Sequence, residues 1–318
     1  MILEKMNNNY TGAPKVLLTI MSYNRGAFLK NLIDSILANF EITYDLLIYD
    51  DNSDDCLTLG VLHEYNRYVA KIELSGNNAK HKGLYSNMRS AYNLAASKDY
   101  DLLFIFQDDT QVIRKFDNQE LSSIHDFFNY HDSTYQIACT FFKKNHQKPY
   151  ANLLDYDKDF DMFTPKASNE NYMLGIADMG IYAMNKLKNK GWKFEDSEGV
   201  NLKKGIEQNM HRAIMRFPFL AFLPWPSVYR YSGTIIKRAY LKFSDWYFNA
   251  GFHPLNVINE QQQKVISERR GFEIIFEDDI LQLRGGYKLT EPWNFYASVF
   301  EWKRRAKTVL GLKKYRSA

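Results

Sequence analysis

Apolar positions along this chain recur in two alternating rhythms. Lys15–Ser22 (KVLLTIMS) is a near-continuous apolar run, the pattern of a strand buried on both faces of a parallel sheet. From Gly26 to Leu37, residues Phe28, Leu29, Leu32, Ile33, Ile36 and Leu37 fall at helical spacing. Asp45–Tyr49 predicts a second strand, Thr58–Val69 a helix and Lys71–Leu74 a short strand. Leu84, Met88, Ala91, Tyr92 and Ala95 give another helical stripe, and Leu102–Phe106 (LLFIF) another buried strand. Such a βαβαβ alternation predicts an α/β fold, a doubly wound and mostly parallel sheet flanked by helices. Ligands of such sheets bind outside the carboxyl ends of the strands. The acidic pairs Asp50-Asp51 and Asp108-Asp109 stand at those ends.

The pattern loosens after Phe142. Lys143–Asn171 is polar, contains Pro149 and Pro165, and reads as a long surface loop of the kind that often binds ligands. Met173–Met184 returns to regular structure, and Gly205–Met215 predicts a helix. The Pro-rich stretch Phe217–Pro226 closes the sheet domain, which gives a main domain of residues 1–235 and a smaller, mainly helical extension of residues 236–318. Within the extension, 272–289 (FEIIFEDDILQLRGGYKL) resembles a hairpin. No internal repeat or low-complexity segment interrupts this plan.

Composition narrows the class. The chain has 318 residues, 45% hydrophobic and 25% charged, which excludes a disordered chain, a collagen and a coiled coil. With only Cys56 and Cys139 it has no disulfide framework, which fits a reducing compartment. Neither a membrane-spanning run nor the apolar core of a signal peptide is visible, so a cytoplasmic location is expected. The net charge of +4 is unevenly placed: Lys303, Arg304, Arg305, Lys307, Lys313, Lys314 and Arg316 carry seven cations with no acid among them. Interleaved with Val309, Leu310, Leu312 and Tyr315, they suit either an anionic membrane surface or a solvated basic terminus.

Several chemistries are excluded by their missing motifs. Only Gly26 follows the first strand, so there is no G-x-G-x-x-G; there is also no Walker motif, no zinc spacing and no G-x-S-x-G elbow. What remains is the order of LLTIMSYNRGAFLKNLIDSIL, LLIYDDNSDD, KGLYSNMRSAYNLAA and LLFIFQDDT. In that order and spacing, residues from about Lys15 to Gly233 resemble the nucleotide-binding half of a family 2 glycosyltransferase. The resemblance implies the GT-A fold and transfer of a sugar from a nucleotide-sugar, with a UDP-sugar favoured, to a glycan or lipid-linked saccharide acceptor. It also implies inversion at the sugar and Mn²⁺ or Mg²⁺ as cofactor; with no recognition motif beside the basic tail, no nucleic-acid partner is expected.

Residue by residue, Asp108 and Asp109 match the metal-binding pair, hard oxygen donors of the kind that Mg²⁺ and Mn²⁺ prefer. Phe106 stands where the family often has a further aspartate. Tyr23, flanked by Ser22 and Asn24, matches the position whose ring lies against the base. Asp51 matches the acceptor of the base N3–H, which favours uracil over cytosine; Asp50-Asp51-Asn52-Ser53 also reads as an Asx turn. Glu207, in KGIEQNMHR, is the expected general base, with Asp178 as acceptor contact and next candidate. Arg230 is expected to balance diphosphate charge, Tyr231 standing where a histidine ligand is frequent. Because of these departures, a catalytically impaired nucleotide-sugar-binding or scaffold component of a polysaccharide assembly complex is the alternative reading.

Overall fold

All seven residues of β1 (Val16–Ser22) are buried, as a strand sandwiched between two helical layers requires. The computed structural model describes residues 12–69, 83–142, 148–166, 171–226, 234–268, 273–286, 288–289 and 292–293. In chain order the strands are β1, β2 (Phe40–Glu41), β3 (Asp45–Asp50), β4 (Leu102–Gln107), β5 (Thr110–Val112), β6 (Phe116–Asp117), β7 (Thr134–Ala138), β8 (Leu154–Asp157), β9 (Met162–Pro165), β10 (Gly180–Ala183), β11 (His211–Met215) and β12 (Leu220–Phe222). The helices are α1 (Gly26–Asn39), α2 (Cys56–Glu64), α3 (Gly83–Ser97), α4 (Asn118–Tyr130), α5 (Met184–Asn189), α6 (Glu198–Glu207), α7 (Ile235–Tyr247), α8 (Glu260–Ser267) and α9 (Glu277–Ile280).

The central sheet has eight strands in the order β3-β1-β4-β10-β7-β11-β9-β8. β1 pairs in parallel with β3 and β4, while β10 runs antiparallel to both of its neighbours, β4 and β7. The period of two along β1 divides the core. Val16, Leu18 and Ile20 face a cluster with α1 and α4; Leu17 and Met21 face one with α3 and α5. The strands β1, β3 and β4 and the helices α1 and α3 stand where the apolar pattern predicts them.

Four expectations are corrected. Gly205–Met215 is not one helix: α6 ends at Glu207, Asn209 takes a left-handed φ of 55°, and His211–Met215 forms β11. The left-handed residue stops the helix, and Ala213, Ile214 and Met215 are buried as a strand between β7 and β9. Within the expected loop 143–171, β8 and β9 pair antiparallel because Met162 and Phe163 find buried sites against β11. The hairpin-like piece contains the short α9 and a turn at Arg284–Gly286; its residues Phe276 and Leu283 instead bridge singly to Phe142 and Leu255.

Thr58–Val69, expected as one helix, is α2 followed by a single turn at Asn66–Tyr68. Leu255, Ile258, Ile266, Ile275, Leu283 and Trp293 share one core with Phe28, Ile113 and Phe141. Lys71–Leu74, Arg230, Tyr231 and the basic tail lie outside the described residues.

Candidate functional site

A pocket of about 80 Å³ opens at the carboxyl ends of β1, β3 and β4, lined by Ser22, Tyr23, Arg25, Asp51, Asn87, Gln107 and Asp108 among others. Four of the residues singled out in the sequence, Ser22, Tyr23, Asp51 and Asp108, thus converge on one space. Their placement follows from two interlocked loops. Asp50 accepts hydrogen bonds from Ser53 N at 2.7 Å and Ser53 Oγ at 2.6 Å, closing the Asx turn. Burial pushes the Asp50 carboxyl up, and the Ser53 hydrogen bonds oppose that shift.

Asn24 joins the first loop to the second: its backbone N–H donates to Ser53 Oγ, and its side chain both accepts from Asp54 N and donates to Asp54 Oδ1. It is therefore a brace between loops. With Asp50 consumed by the turn, Asp51 is the carboxylate that faces the pocket. It lies directly against the first residue of α3, where a Cβ on Gly83 would stand 1.5 Å from Asp51 Oδ1. Only glycine permits that approach.

Asp108 and Asp109 are both buried, and Asp108 lines the pocket. Asp108 Oδ2 accepts from Tyr23 N at 3.0 Å, which ties the β4 end to the expected base platform. One Arg25 guanidinium nitrogen reaches both acids, at 3.2 Å from Asp108 Oδ1 and 2.9 Å from Asp109 Oδ2. Burial drives the Asp108 carboxyl up to about 6, against the pull of Arg25. Asp109 Oδ1 is buried with no hydrogen-bond partner, an oxygen still able to accept a proton donor or a cation. Among the described residues no group of three or more His, Cys, Asp or Glu side chains could hold a metal ion. Two carboxylates still fit Mg²⁺ or Mn²⁺ chemistry, in which substrate phosphates and waters complete the shell. Phe106 points the other way, fully buried against Phe40 and Phe219.

A second cavity of about 280 Å³ adjoins the first, since Gln107 lines both. Its polar wall is Gln107, Thr140, Asp178, Glu198 and Arg212. Asp178 precedes β10, and its turn is clamped from below: buried Gln136 accepts from Ala177 N at 2.8 Å and donates to Met179 O at 2.7 Å. Glu198 opens α6, whose backbone packs tightly on the Asp178 segment; a Cβ on Gly175 would lie 2.0 Å from Leu202 O. Desolvation and the neighbouring Glu198 carboxylate push Asp178 up to about 7, against Arg212. The same burial lowers Arg212, whose Nη2 donates to Met173 O at 2.6 Å. Tyr85 of α3 lies against Asp178 and Glu198, and its phenol is raised by burial and by both carboxylates.

Glu207 lies elsewhere. It closes α6 instead of opening a helix, its side chain is exposed and 3.6 Å from Lys203, and it lines neither pocket. Glu198, Arg212 and Gln107 were missed in the sequence. Glu198 carries a legible signal, since Ser197 caps the helix and Glu198 is a first-turn acid after it. Arg212 carries none, because its strand reads as part of a helix.

A mainly parallel eight-stranded sheet flanked by helices, with two adjoining pockets at its carboxyl edge, is an α/β architecture consistent with the GT-A fold. No family model and no curated protein sequence matches the chain. Among solved structures it is similar to S. aureus TarS, with 16% identity and a TM-score of 0.44 over 67% of this chain and 37% of that one. It is also similar to the mannosyltransferase PcManGT from Pyrobaculum calidifontis in complex with GDP-Man and Mn²⁺, with 12% identity and a TM-score of 0.45 over 77% of this chain and 67% of that one. The chain thus spans little more than a third of TarS. Both likenesses are distant, and the chemistry of the site rests on its own residues.

Proposed function

We propose that this protein is an inverting glycosyltransferase that takes its sugar from a UDP-sugar and passes it to a hydroxyl of a glycan or lipid-linked saccharide. The observation that carries this reading is the meeting of two pockets at Gln107, one lined by Asp51 and Asp108 and the other with an acid raised to about 7. The nucleotide enters the smaller pocket, with the base on Tyr23 and its N3–H donated to Asp51. A carboxylate at that point repels cytosine, whose N3 only accepts. Asp108 and Asp109 would hold Mn²⁺ or Mg²⁺, and a bound ion supplies Lewis-acid charge to the departing diphosphate. Arg25 faces the same oxygens and brings a fixed positive charge to the phosphates. Arg230 remains a proposed diphosphate contact.

The acceptor occupies the larger cavity. Asp178, as carboxylate, takes the proton from the acceptor hydroxyl while its oxygen attacks the anomeric carbon from the face opposite the diphosphate. The bond from carbon to phosphate oxygen breaks, UDP leaves with the electron pair, and the configuration inverts. A base near neutrality is well matched to this step at physiological pH. Glu198 raises that basicity by its charge, and Arg212 opposes the rise.

The test combines binding with turnover. A panel of nucleoside diphosphates with Mn²⁺ should raise the melting temperature most for UDP; a hundredfold excess over Kd adds about 2.7 kcal/mol. Release of UDP from UDP-sugars, with and without saccharide acceptors, then separates an enzyme from a binding or scaffold component, which would be stabilised without turnover. No stabilisation by any nucleotide overturns both readings.

A further inference from the structure

Helix α7 carries its apolar side outward. Among its described side chains Leu241 and Ser244 are buried, whereas Ile235, Ile236, Phe243, Trp246 and Tyr247 are 77%, 83%, 57%, 75% and 67% exposed. At 3.6 residues per turn Leu241, Ser244 and Phe248 fall on one narrow strip, and Ile235, Ile236, Ala239, Phe243, Trp246 and Tyr247 cover the opposite face. The outward rings touch: Phe243 lies 5.6 Å from Trp246 and 6.1 Å from Tyr247, centroid to centroid. They form a continuous platform. Exposed Arg238 and Lys242 border one edge of it, and the acid of the helix, Asp245, lies half-buried toward the inward side. A contiguous exposed apolar patch of this kind marks an interaction surface.

We propose that α7 lies flat on an anionic phospholipid surface, with its isoleucines and rings among the upper acyl chains and Arg238 and Lys242 on lipid phosphates. Two arguments favour a membrane over a second copy of the chain. Tyr and Trp have an apolar body and a polar edge, which suits the headgroup boundary, and flanking cations complement anionic lipid. A 13-residue helix is also small: about 20 Å long and about 10 Å wide, it offers roughly 200 Å². A stable dimer needs about 800 Å² per partner. The helix lines neither pocket, so the inference stands apart from the proposed chemistry.

The test uses the full chain and vesicles of phosphatidylglycerol with phosphatidylcholine, beside vesicles of phosphatidylcholine alone. Phe243→Ser/Trp246→Ser is expected to lower partition onto the anionic vesicles by about tenfold or more, since each lost ring removes apolar contact with lipid. Arg238→Ser/Lys242→Ser should lower it by roughly fivefold per cation on anionic vesicles and leave phosphatidylcholine binding unchanged. Ile235→Ser/Ile236→Ser, on the same face, carries the test if the aromatic variant loses its native melting transition. Release of UDP with a soluble acceptor should match the unmodified chain in all three. Equal partition of the apolar variants and the unmodified chain overturns the proposal. A lipid-free dimer that these variants convert to monomer also overturns it, in favour of a second copy as occupant.

Discussion

The smaller pocket is braced by side chains, and the acidic cavity beside it by backbone. In the first, Asn24, Asp50, Ser53 and Asp54 hydrogen-bond across the two loops that follow β1 and β3. Each partner is a short polar residue at a strand end, the residue type that competes with regular structure and makes turns. In the second, Asp178 and Glu198 meet because α6 presses on the segment 175–178 through Gly175 and Gly205, and because Gln136 grips the turn from a neighbouring strand. Local polar turns place a ligand cheaply and openly. Close backbone approach removes water, and removal of water is what lifts Asp178 to about 7.

The largest effect that would sharpen this contrast is Asp178→Asn. Loss of the base should lower kcat by about 10²–10⁴-fold with UDP affinity unchanged. The same variant reports on burial. A folded-state value of about 7, above the ordinary 3.8, means that the native protein binds the proton more tightly than the unfolded chain. Wild-type stability should therefore fall between about pH 4 and pH 7 from this group, and Asp178→Asn should melt above wild type by a margin that widens over that range. A constant margin would place Asp178 in water.

Asp109→Asn comes next. It should lower turnover by about 10²-fold and remove the part of UDP binding that depends on Mn²⁺, as read by calorimetry with and without chelator. In the same pocket, Gly83→Ala forces the Asp51 carboxylate aside and should weaken UDP by about tenfold while leaving the Asp178 pH profile in place. Glu198→Gln tests the coupling of the cavity. Without that charge Asp178 becomes easier to ionise, so the acidic limb of kcat should move to lower pH, by about one unit or less. The smallest effect belongs to Glu207→Gln. An exposed acid paired with a lysine one turn away contributes about 0.3–0.5 kcal/mol to its helix, and kcat should change less than about twofold. A loss comparable to that of Asp178→Asn would return the base to the end of α6.

What the sequence by itself determined is everything that depends on near neighbours. Strands buried on both faces, such as Val16–Ser22 and Leu102–Gln107, must be largely apolar, and the turns at their ends must be polar, so both the sheet and the smaller pocket can be read from runs and spacings. Tyr23, Asp51, Asp108 and Asp109 sit one or two residues past such strands, where the fold leaves little choice of position. Only the tertiary structure decided the cavity. Glu198 and Arg212, on the consecutive elements α6 and β11, meet Gln107 of β4 from about ninety residues earlier in the chain, and the strand bearing Arg212 borrows its apolar pattern from sheet neighbours. That β10 enters the sheet antiparallel was equally hidden, because the partners of a buried four-residue strand are chosen by packing across the sheet rather than by its own sequence.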